Sequence, residues 1–268
     1  MRRKRKDDSS EFRFFGFDIE TVLPIPREAS DLGDPCALGI DSFGGISIVA
    51  VVTSSGDEHV WTPEKKSKDD DHFELLSMTS LQVQNSIEHM FHLFSVKHYI
   101  PVSWNGLFFD LRVLARCSES EKHAAMCRAM ALGHVDLAFN MLARTGFMCS
   151  MDSAADFMLK VRKSFPSAIE ALTLWSSRDS SKQREVVRYC VDDAKLVLQI
   201  FAKMVNESMR TKECPKLHYR SKKGIDFTVS FPEGVRVSMF VKQECEHKWE
   251  SGVTFRSCLS WALGTEEK

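Results

Sequence analysis

The spacing of hydrophobic residues predicts β-strands in the first part of the chain. Residues 12–19 form an apolar run of high β-propensity, which predicts a mostly buried strand. A second apolar run covers 46–52, and a turn at 54–57 separates it from a short third run at 58–61. These two runs predict a hairpin beside the first strand. Proline and glycine residues over 24–45 predict a long loop before the hairpin.

Helical spacing of apolar residues dominates the middle of the chain. It predicts a helix over 81–96, a strand follows over 99–104, and another helix begins near Asp110. The longest helical pattern runs from Ser181 to about Met204. Shorter helices are predicted over 121–132, 137–145, 151–160 and 167–175. Early strands, late helices and strand–helix–strand crossovers between them predict an α/β layer architecture.

The same patterns divide the chain into three parts. Residues 1–10 are basic, then acidic, then serine, which predicts a disordered, solvated tail. Residues 11–205 carry the predicted strands and helices and are expected to form one domain. Short β-like runs at 227–231 and 235–241, together with basic residues and no long helix, predict a small C-terminal extension over 206–268.

Composition argues against a disordered, a membrane-spanning or a secreted, disulfide-stabilised protein. With 43% hydrophobic residues the chain is too apolar to be disordered, and its longest apolar stretch is far shorter than the roughly 20 residues that span a bilayer. The chain begins without the apolar segment of a secretory signal, and its eight cysteines contain no CxxC pair. These features predict reduced thiols in an intracellular, cytoplasmic protein with no membrane partner.

Charge and missing motifs exclude further classes. The formal net charge of −1 disfavours a protein that holds long duplexes on a basic surface, but it is compatible with an acidic pocket that holds cations. The sequence contains no GxGxxG or GKS/GKT loop and no GxSxG elbow. Nucleoside triphosphate hydrolysis and serine-hydrolase chemistry therefore have no support.

Two carboxylates close the first predicted strand. The alternation of a strand places Asp18 and Glu20 on one face, whereas Phe17 and Ile19 lie on the other. Neighbouring carboxylates repel each other unless a cation lies between them. The pair therefore predicts either a solvated acidic end or a cation site. Its position at the end of a strongly apolar strand is unexpected for a solvated pair.

A third carboxylate, Asp110, is predicted at the start of a helix. It follows Trp104-Asn105-Gly106, where a strand ends, and apolar residues flank it. An acid in the first turn of a helix interacts favourably with the helix dipole, which is one explanation for this residue. The other is a metal ligand that projects from the helix start into a cleft at the strand end. The apolar neighbours favour the metal ligand.

Two adjacent aspartates on the longest helix face different sides. Asp193 lies on an apolar stripe, one turn after Tyr189. Asp192 lies on a polar stripe between Arg188 and Lys195. A buried aspartate costs free energy unless it is paired or binds a metal ion. Asp193 is therefore the predicted functional residue, and Asp192 is predicted to face solvent.

These residues belong to three motifs that resemble those of a known superfamily. The motifs are Phe17-Asp18-Ile19-Glu20-Thr21, Asn105-Gly-Leu-Phe-Phe-Asp110 and Tyr189-x-x-x-Asp193. In this order they resemble the three exonuclease motifs of the RNase H-like DEDD superfamily of 3′–5′ exonucleases, and the tyrosine resembles the DEDDy branch. The resemblance covers about residues 12–205. The end of the chain is loosely similar to the tail of uncharacterised predicted exonucleases.

The resemblance implies a fold and a metal site. The expected fold is α/β, with an RNase H-like mixed five-stranded sheet flanked by helices. The expected metal ligands are Asp18, Glu20, Asp110 and Asp193, which would hold two divalent ions. Carboxylate oxygens are hard ligands that suit Mg²⁺ or Mn²⁺.

The resemblance also implies a reaction. The expected activity removes nucleotides from the 3′ ends of single-stranded nucleic acid, with DNA favoured over RNA, by a two-metal mechanism. Tyr189 would orient the attacking water, because a hydroxyl with a reference pKa near 10 is not a base at neutral pH. Asn105 would fix the turn or contact substrate, and the backbone of Thr21 would contact the terminal nucleotide. The alternative function is a non-catalytic module that binds nucleic acid or a partner on a nuclease fold.

Three further groups of residues have two interpretations each. Asp136 is predicted on the same side of a short strand as His134. It is either a fifth acid near the metal ions, or a residue that caps a helix or hydrogen-bonds a metal-binding residue, and this second interpretation is favoured. His89 and His92 fall on one helix but lack the paired spacing of a zinc site. A group of basic residues either follows a nucleic-acid backbone or forms a solvated face: Arg210, Lys212, Lys216, Arg220, Lys222 and Lys223.

Overall fold

The computed structural model defines most of the predicted domain and parts of the predicted extension. The predicted tail over 1–10 lies outside the described residues, as do nearly all of the predicted loop over 24–45 and, apart from Val237, the β-like run over 235–241. The described residues are 13–22, 44–63, 76–145, 149–163, 168–177, 179–211, 216–220, 226–230, 237 and 255–264.

Five strands form the central sheet, in the order β3-β2-β1-β4-β5. β1 pairs with β2 antiparallel and with β4 parallel, β3 pairs antiparallel with β2, and β5 pairs parallel with β4. The strands are β1 Phe14–Thr21, β2 Ile46–Thr53, β3 Glu58–Trp61, β4 Ile100–Ser103 and β5 Val135–Asp136. The predicted hairpin beside the first strand is confirmed, and so is the α/β fold class with a mixed five-stranded sheet flanked by helices.

Helices cover both faces of the sheet, so β2 is buried and largely apolar on both faces. In β1, the odd-numbered Phe15, Phe17 and Ile19 pack into one hydrophobic cluster. The opposite face of β1 carries Gly16 and Asp18 beneath the longest helix. The alternation predicted for this strand therefore separates a packed face from a face that bears the acids.

Helices form two layers around the sheet. One layer contains α1 Ser80–Ser95, α2 Asp110–Cys117, α3 Glu121–Gly133 and α8 Phe255–Leu263. The other contains α5 Met151–Leu159, α6 Ala168–Ser176 and the long α7 Ser180–Thr211. α4, Leu137–Thr145, follows β5 directly and contributes side chains to both layers. No helix in the described part of the chain combines the length and hydrophobicity needed to cross a membrane.

Part of the predicted C-terminal extension shares the core of the main sheet. α7 continues to Thr211, so the predicted boundary at residue 205 falls inside a helix. Two strands, β6 Lys216–Arg220 and β7 Asp226–Ser230, then form a separate antiparallel hairpin. α8 packs beside α3, where the Trp261 indole N–H donates to the carbonyl oxygen of Leu107 over 2.9 Å.

Candidate active site

The predicted acidic residues come together where β1, the start of α2 and the middle of α7 meet. Asp18 and Glu20 lie on the face of β1 that α7 covers. The side chain of Glu20 is 9% exposed, and Asp18 is half-buried. Ligand atoms of Asp18, Glu20 and Cys190 of α7 all lie within 4.8 Å of one another. The first motif and the third motif therefore share one site.

Close contact between β1 and α7 depends on Gly16. A Cβ at this position would overlap with the carbonyl oxygen of Ala194 and lie 2.9 Å from Cγ of Leu198. Two residues further along β1, the Cys190 thiol donates to the carbonyl oxygen of Asp18 over 3.4 Å. Because β1 has no side chain at Gly16, α7 lies close enough to place its functional residues over Asp18.

Asp110 reaches the site at the point where β1 loses its parallel neighbour. The pairing of β1 with β4 runs only to Gly16 and Val102. Beyond it, Oδ1 of Asp110 accepts a hydrogen bond from the backbone N–H of Ile19 over 3.2 Å. Asp110 is the first residue of α2 and is 4% exposed, and the helix N-terminus favours its negative charge.

α7 places Asp193 inside the site and Asp192 outside it, as predicted. Asp193 is 4% exposed, whereas the side chain of Asp192 is 45% exposed and lies 3.9 Å from the ammonium group of Lys195. The hydroxyl of Tyr189 hydrogen-bonds the Asp193 carboxylate. The predicted pairing of these two residues on one stripe of the helix is therefore present.

Lys163 supplies a positive charge that the sequence analysis missed. Its Nζ forms an ion pair with the Asp193 carboxylate, donates to the Tyr189 hydroxyl over 2.9 Å and lies 5.0 Å from the centre of that ring. Lys163 follows α5 in a segment without periodicity, so no pattern connects it to α7. Cys190 was also missed, because its contact with β1 depends on how closely the helix packs.

Burial is the first cause of a raised pKa at each of the four acids. Burial and neighbouring carboxylates raise the pKa of Glu20 to about 8. Burial raises the pKa of Asp110 to about 7, although hydrogen bonds from backbone N–H groups oppose this. The pKa values of Asp18 and Asp193 are also raised, while Lys163 lowers both. Without a cation the site therefore favours protonated carboxyl groups, and a bound cation would favour their ionised forms.

The other hydroxyl and thiol groups of the site stay protonated. Burial, followed by the nearby carboxylates, raises the pKa of Tyr189 and of Cys190. A protonated thiol is a poor ligand for a hard cation, so the role of Cys190 is the hydrogen bond that joins α7 to β1. Tyr189 can donate a hydrogen bond but cannot act as a base at neutral pH.

The remaining predicted residues lie beside the acids. Thr21 is buried at the end of β1, and its carbonyl oxygen accepts from the Ser47 hydroxyl over 3.4 Å. Asn105 lies in the turn after β4 with φ 71°, a left-handed conformation that asparagine adopts more readily than most residues. Its backbone N–H donates to Oδ1 of Asp136 over 2.9 Å.

Asp136 holds the turn and caps a helix, and it also contributes to the raised pKa of Asp110. Its carboxylate accepts from the backbone N–H groups of Asn105 and Leu107, both over 2.9 Å. A third N–H, from Phe139 in the first turn of α4, donates to it over 3.0 Å. Asp136 is completely buried, and its interactions with these N–H groups agree with the favoured interpretation.

Comparisons with known proteins find only a distant structural similarity. No protein-family model and no curated protein matches it. Among solved structures it is similar to the family B DNA polymerase from the hyperthermophilic archaeon Pyrobaculum calidifontis, with 18% identity and a TM-score of 0.48. The similarity covers 72% of this chain and 24% of the polymerase chain. The function of the site must therefore be argued from its own residues.

Proposed function

We propose that this chain is a metal-dependent 3′–5′ exonuclease that hydrolyses phosphodiester bonds at the 3′ ends of single-stranded nucleic acid, with DNA favoured over RNA. One observation carries the proposal: carboxylates from three distant segments of the chain meet in a single buried cluster. The direction of cleavage and the preference for DNA come from the resemblance of the three motifs to DEDDy exonucleases.

The donor set fits divalent metal ions. Asp18, Glu20, Asp110 and Asp193 would hold Mg²⁺ or Mn²⁺, because carboxylate oxygens are the ligands that these hard cations prefer. Lys163 is the one side chain in the described residues that forms an ion pair with these acids, so it leaves most of their charge unbalanced. When bound, two such ions supply an activated water and stabilise the attacking and leaving oxygens of an in-line displacement.

The residues of the chain itself would bind the metal ions, orient the attacking water and contact the substrate. The buried acids release their protons when cations bind, because their ionised forms are then favoured. Tyr189 keeps its proton and orients the attacking water by a hydrogen bond. We assign contacts with the terminal nucleotide to the backbone of Thr21 and to Asn105, which lie beside the acids.

Degradation of end-labelled strands tests the proposal. Single strands of DNA and RNA with one sequence and a 5′ label are incubated with the chain in Mg²⁺, in Mn²⁺ or in chelator. The expected result is stepwise shortening from the 3′ end that stops in chelator and in Asp193→Asn. The matched control Asp192→Asn should keep its activity, because that residue lies outside the cluster. Shortening that survives both chelation and Asp193→Asn would reject the mechanism.

One observation favours a second function, a non-catalytic module that binds nucleic acid or a partner. The ion pair between Lys163 and Asp193 neutralises part of the site without a metal ion. A calorimetric titration separates the two functions. Binding of Mn²⁺ supports the nuclease, and absence of binding at millimolar concentration supports the module.

A further inference from the structure

A basic segment with an exposed aromatic residue leads directly into the acidic cluster. We call residues 157–163 the 157–163 segment. Lys163 is its inner end and contacts Asp193. Further from the acids, Arg162 and Lys160 are exposed. Phe157, in the last turns of α5, is 42% exposed, which is unusual for a large apolar side chain next to charged residues.

The backbone of this segment is held in a defined conformation. α5 ends at Leu159, and Lys160 adopts a left-handed conformation with φ 58°. Its N–H donates to the carbonyl oxygen of Ala155, and the N–H of Lys163 donates to Asp152 over 3.0 Å. Residues other than glycine seldom adopt a positive φ, and those that do are often found at binding and catalytic sites. The two hydrogen bonds hold the direction in which the cations project.

The acidic cluster makes such a surface necessary for a polyanionic substrate. Bound cations can hold the phosphate that lies at the acids, but the carboxylates repel the other phosphates of the strand. Those phosphates, further from the 3′ end, need positive charge on a neighbouring surface of the protein. The Cα atoms of Lys160 and Lys163 are at most about 11 Å apart, because three residues cannot span more. A strand whose end lies at the acids would therefore pass close to Lys160 and Arg162.

Phe157 provides the second feature of a single-strand surface. Nζ of Lys160 lies 5.5 Å from the centre of the Phe157 ring. Surfaces that bind single strands combine cations that follow the backbone with aromatic rings on which bases stack. The segment carries both features within a few residues of the site. The side chains of the basic residues from 210 to 223 that the sequence analysis considered lie outside the part of the chain that the structure describes.

We propose that the 157–163 segment binds the last nucleotides of a single-stranded polynucleotide. Lys160 and Arg162 contact backbone phosphates, and Phe157 stacks on a base. This inference rests on the proposed function, since it takes the acidic cluster as the place where the 3′ end lies. The chemistry that the surface recognises, phosphodiester groups and a base face, is common to DNA and RNA.

Salt-dependent binding tests the surface. Fluorescence anisotropy measures the affinity of 5′-labelled DNA and RNA strands of one sequence for Asp193→Asn chain in Mg²⁺, a background that should not cleave them. In this background, Lys160→Gln/Arg162→Gln should weaken binding and reduce the slope of log affinity against log salt by about 0.7 per lost phosphate contact, or about 1.4 in total. The control Lys97→Gln/Lys122→Gln removes the same charge from exposed positions after α1 and on α3, on the other side of the sheet, and should leave the slope unchanged.

Substitutions at Phe157 separate stacking from a structural role. Phe157→Ala should weaken binding by about fivefold or more, while Phe157→Trp should retain the affinity within about twofold because it still stacks. Equal salt slopes in the Lys160/Arg162 variant and its control would overturn the proposal that the 157–163 segment binds the strand. If the wild-type chain then still degrades strands, only this inference fails. If it degrades none while the slope depends on Lys160 and Arg162, the surface stands and the proposed nuclease fails.

Discussion

Buried carboxylates occur in two neighbouring regions of this molecule with opposite surroundings. At the end of β5, Asp136 accepts hydrogen bonds from three backbone N–H groups. In the acidic cluster, Asp110 accepts one from Ile19, and Asp193 forms an ion pair with Lys163. The protein alone therefore satisfies Asp136, whereas the described donors and cations leave the four acids of the cluster with raised pKa values.

The difference teaches how to separate structural acids from functional ones. A buried carboxylate that accepts several N–H groups stabilises the fold, because those N–H groups also need acceptors. Buried carboxylates that repel one another destabilise the fold unless a ligand joins them. Groups with strongly perturbed pKa values cluster at functional sites. The four predictions that follow test this contrast, from the largest expected effect to the smallest.

The largest effect is expected on activity when the cluster loses one charge. Asp110→Asn keeps an oxygen that accepts from Ile19, so the fold is retained while a metal ligand is weakened. We expect the rate of nucleotide release to fall about a thousandfold, which corresponds to ~4 kcal/mol in the barrier. Initial rates with labelled strands measure it. A rate within tenfold of the wild type would show that Asp110 is not a metal ligand required for the reaction.

The next effect is on the free energy of unfolding, where the two regions should respond with opposite signs. Asp136→Ala leaves three buried N–H groups without their acceptor and should cost about 3 kcal/mol or more. Asp18→Asn replaces a buried acid that must take up a proton on folding with a neutral amide, and it should stabilise the metal-free chain by about 1 kcal/mol. Urea unfolding in chelator measures both. Equal destabilisation by the two substitutions would contradict the contrast.

Lys163 should compete with metal ions for Asp193. Lys163→Gln removes the ammonium group from the Asp193 carboxylate, so we expect Mn²⁺ to bind about tenfold more tightly, or ~1.4 kcal/mol. Calorimetric titration gives the affinity, and Lys160→Gln is the matched control because its side chain is exposed. Affinity that is unchanged or weaker in Lys163→Gln would mean that the lysine does not compete.

The last prediction concerns the dependence of metal-free stability on pH. Burial raises the pKa of Glu20 from 4.5 to about 8, so between these values the folded chain binds a proton that the unfolded chain releases. Stability should therefore fall as pH rises through this window, by at least about 1 kcal/mol. Unfolding in chelator at pH 5 and pH 8 measures the change, and Glu20→Gln should reduce it. Stability that rises across the window would contradict the assignment.

Periodicity predicted the α/β class and the faces on which the acids lie because both depend on short-range patterns, whereas the five-stranded sheet and the grouping of the acids were implied by the resemblance. The alternation of β1 placed Asp18 and Glu20 on one face, and helical spacing distinguished Asp193 from Asp192. Both predictions agree with the burial of these residues. The bounds of the first strands and helices differ from the predicted ones by one or two residues, since the ends of elements depend on local hydrogen bonds.

Contacts between distant elements could not be predicted in the same way. Lys163 reaches Asp193 because α5 packs against α7, and no spacing in the sequence reports that packing. Trp261 binds the carbonyl oxygen of Leu107 across 154 residues, so an apolar helical run alone could not show which surface α8 covers. The longest helix was predicted to end near Met204, but it continues to Thr211, and the ends of elements depend on local hydrogen bonds that periodicity does not report.

A crystal structure of the chain soaked in Mn²⁺, with anomalous scattering data, tests the central claim most directly. The account predicts two peaks among the carboxylates of Asp18, Glu20, Asp110 and Asp193, with the ammonium group of Lys163 displaced from Asp193. An Asp193→Asn crystal treated in the same way should lose at least one peak. No peak at millimolar Mn²⁺, with Lys163 still paired to Asp193, would contradict the account.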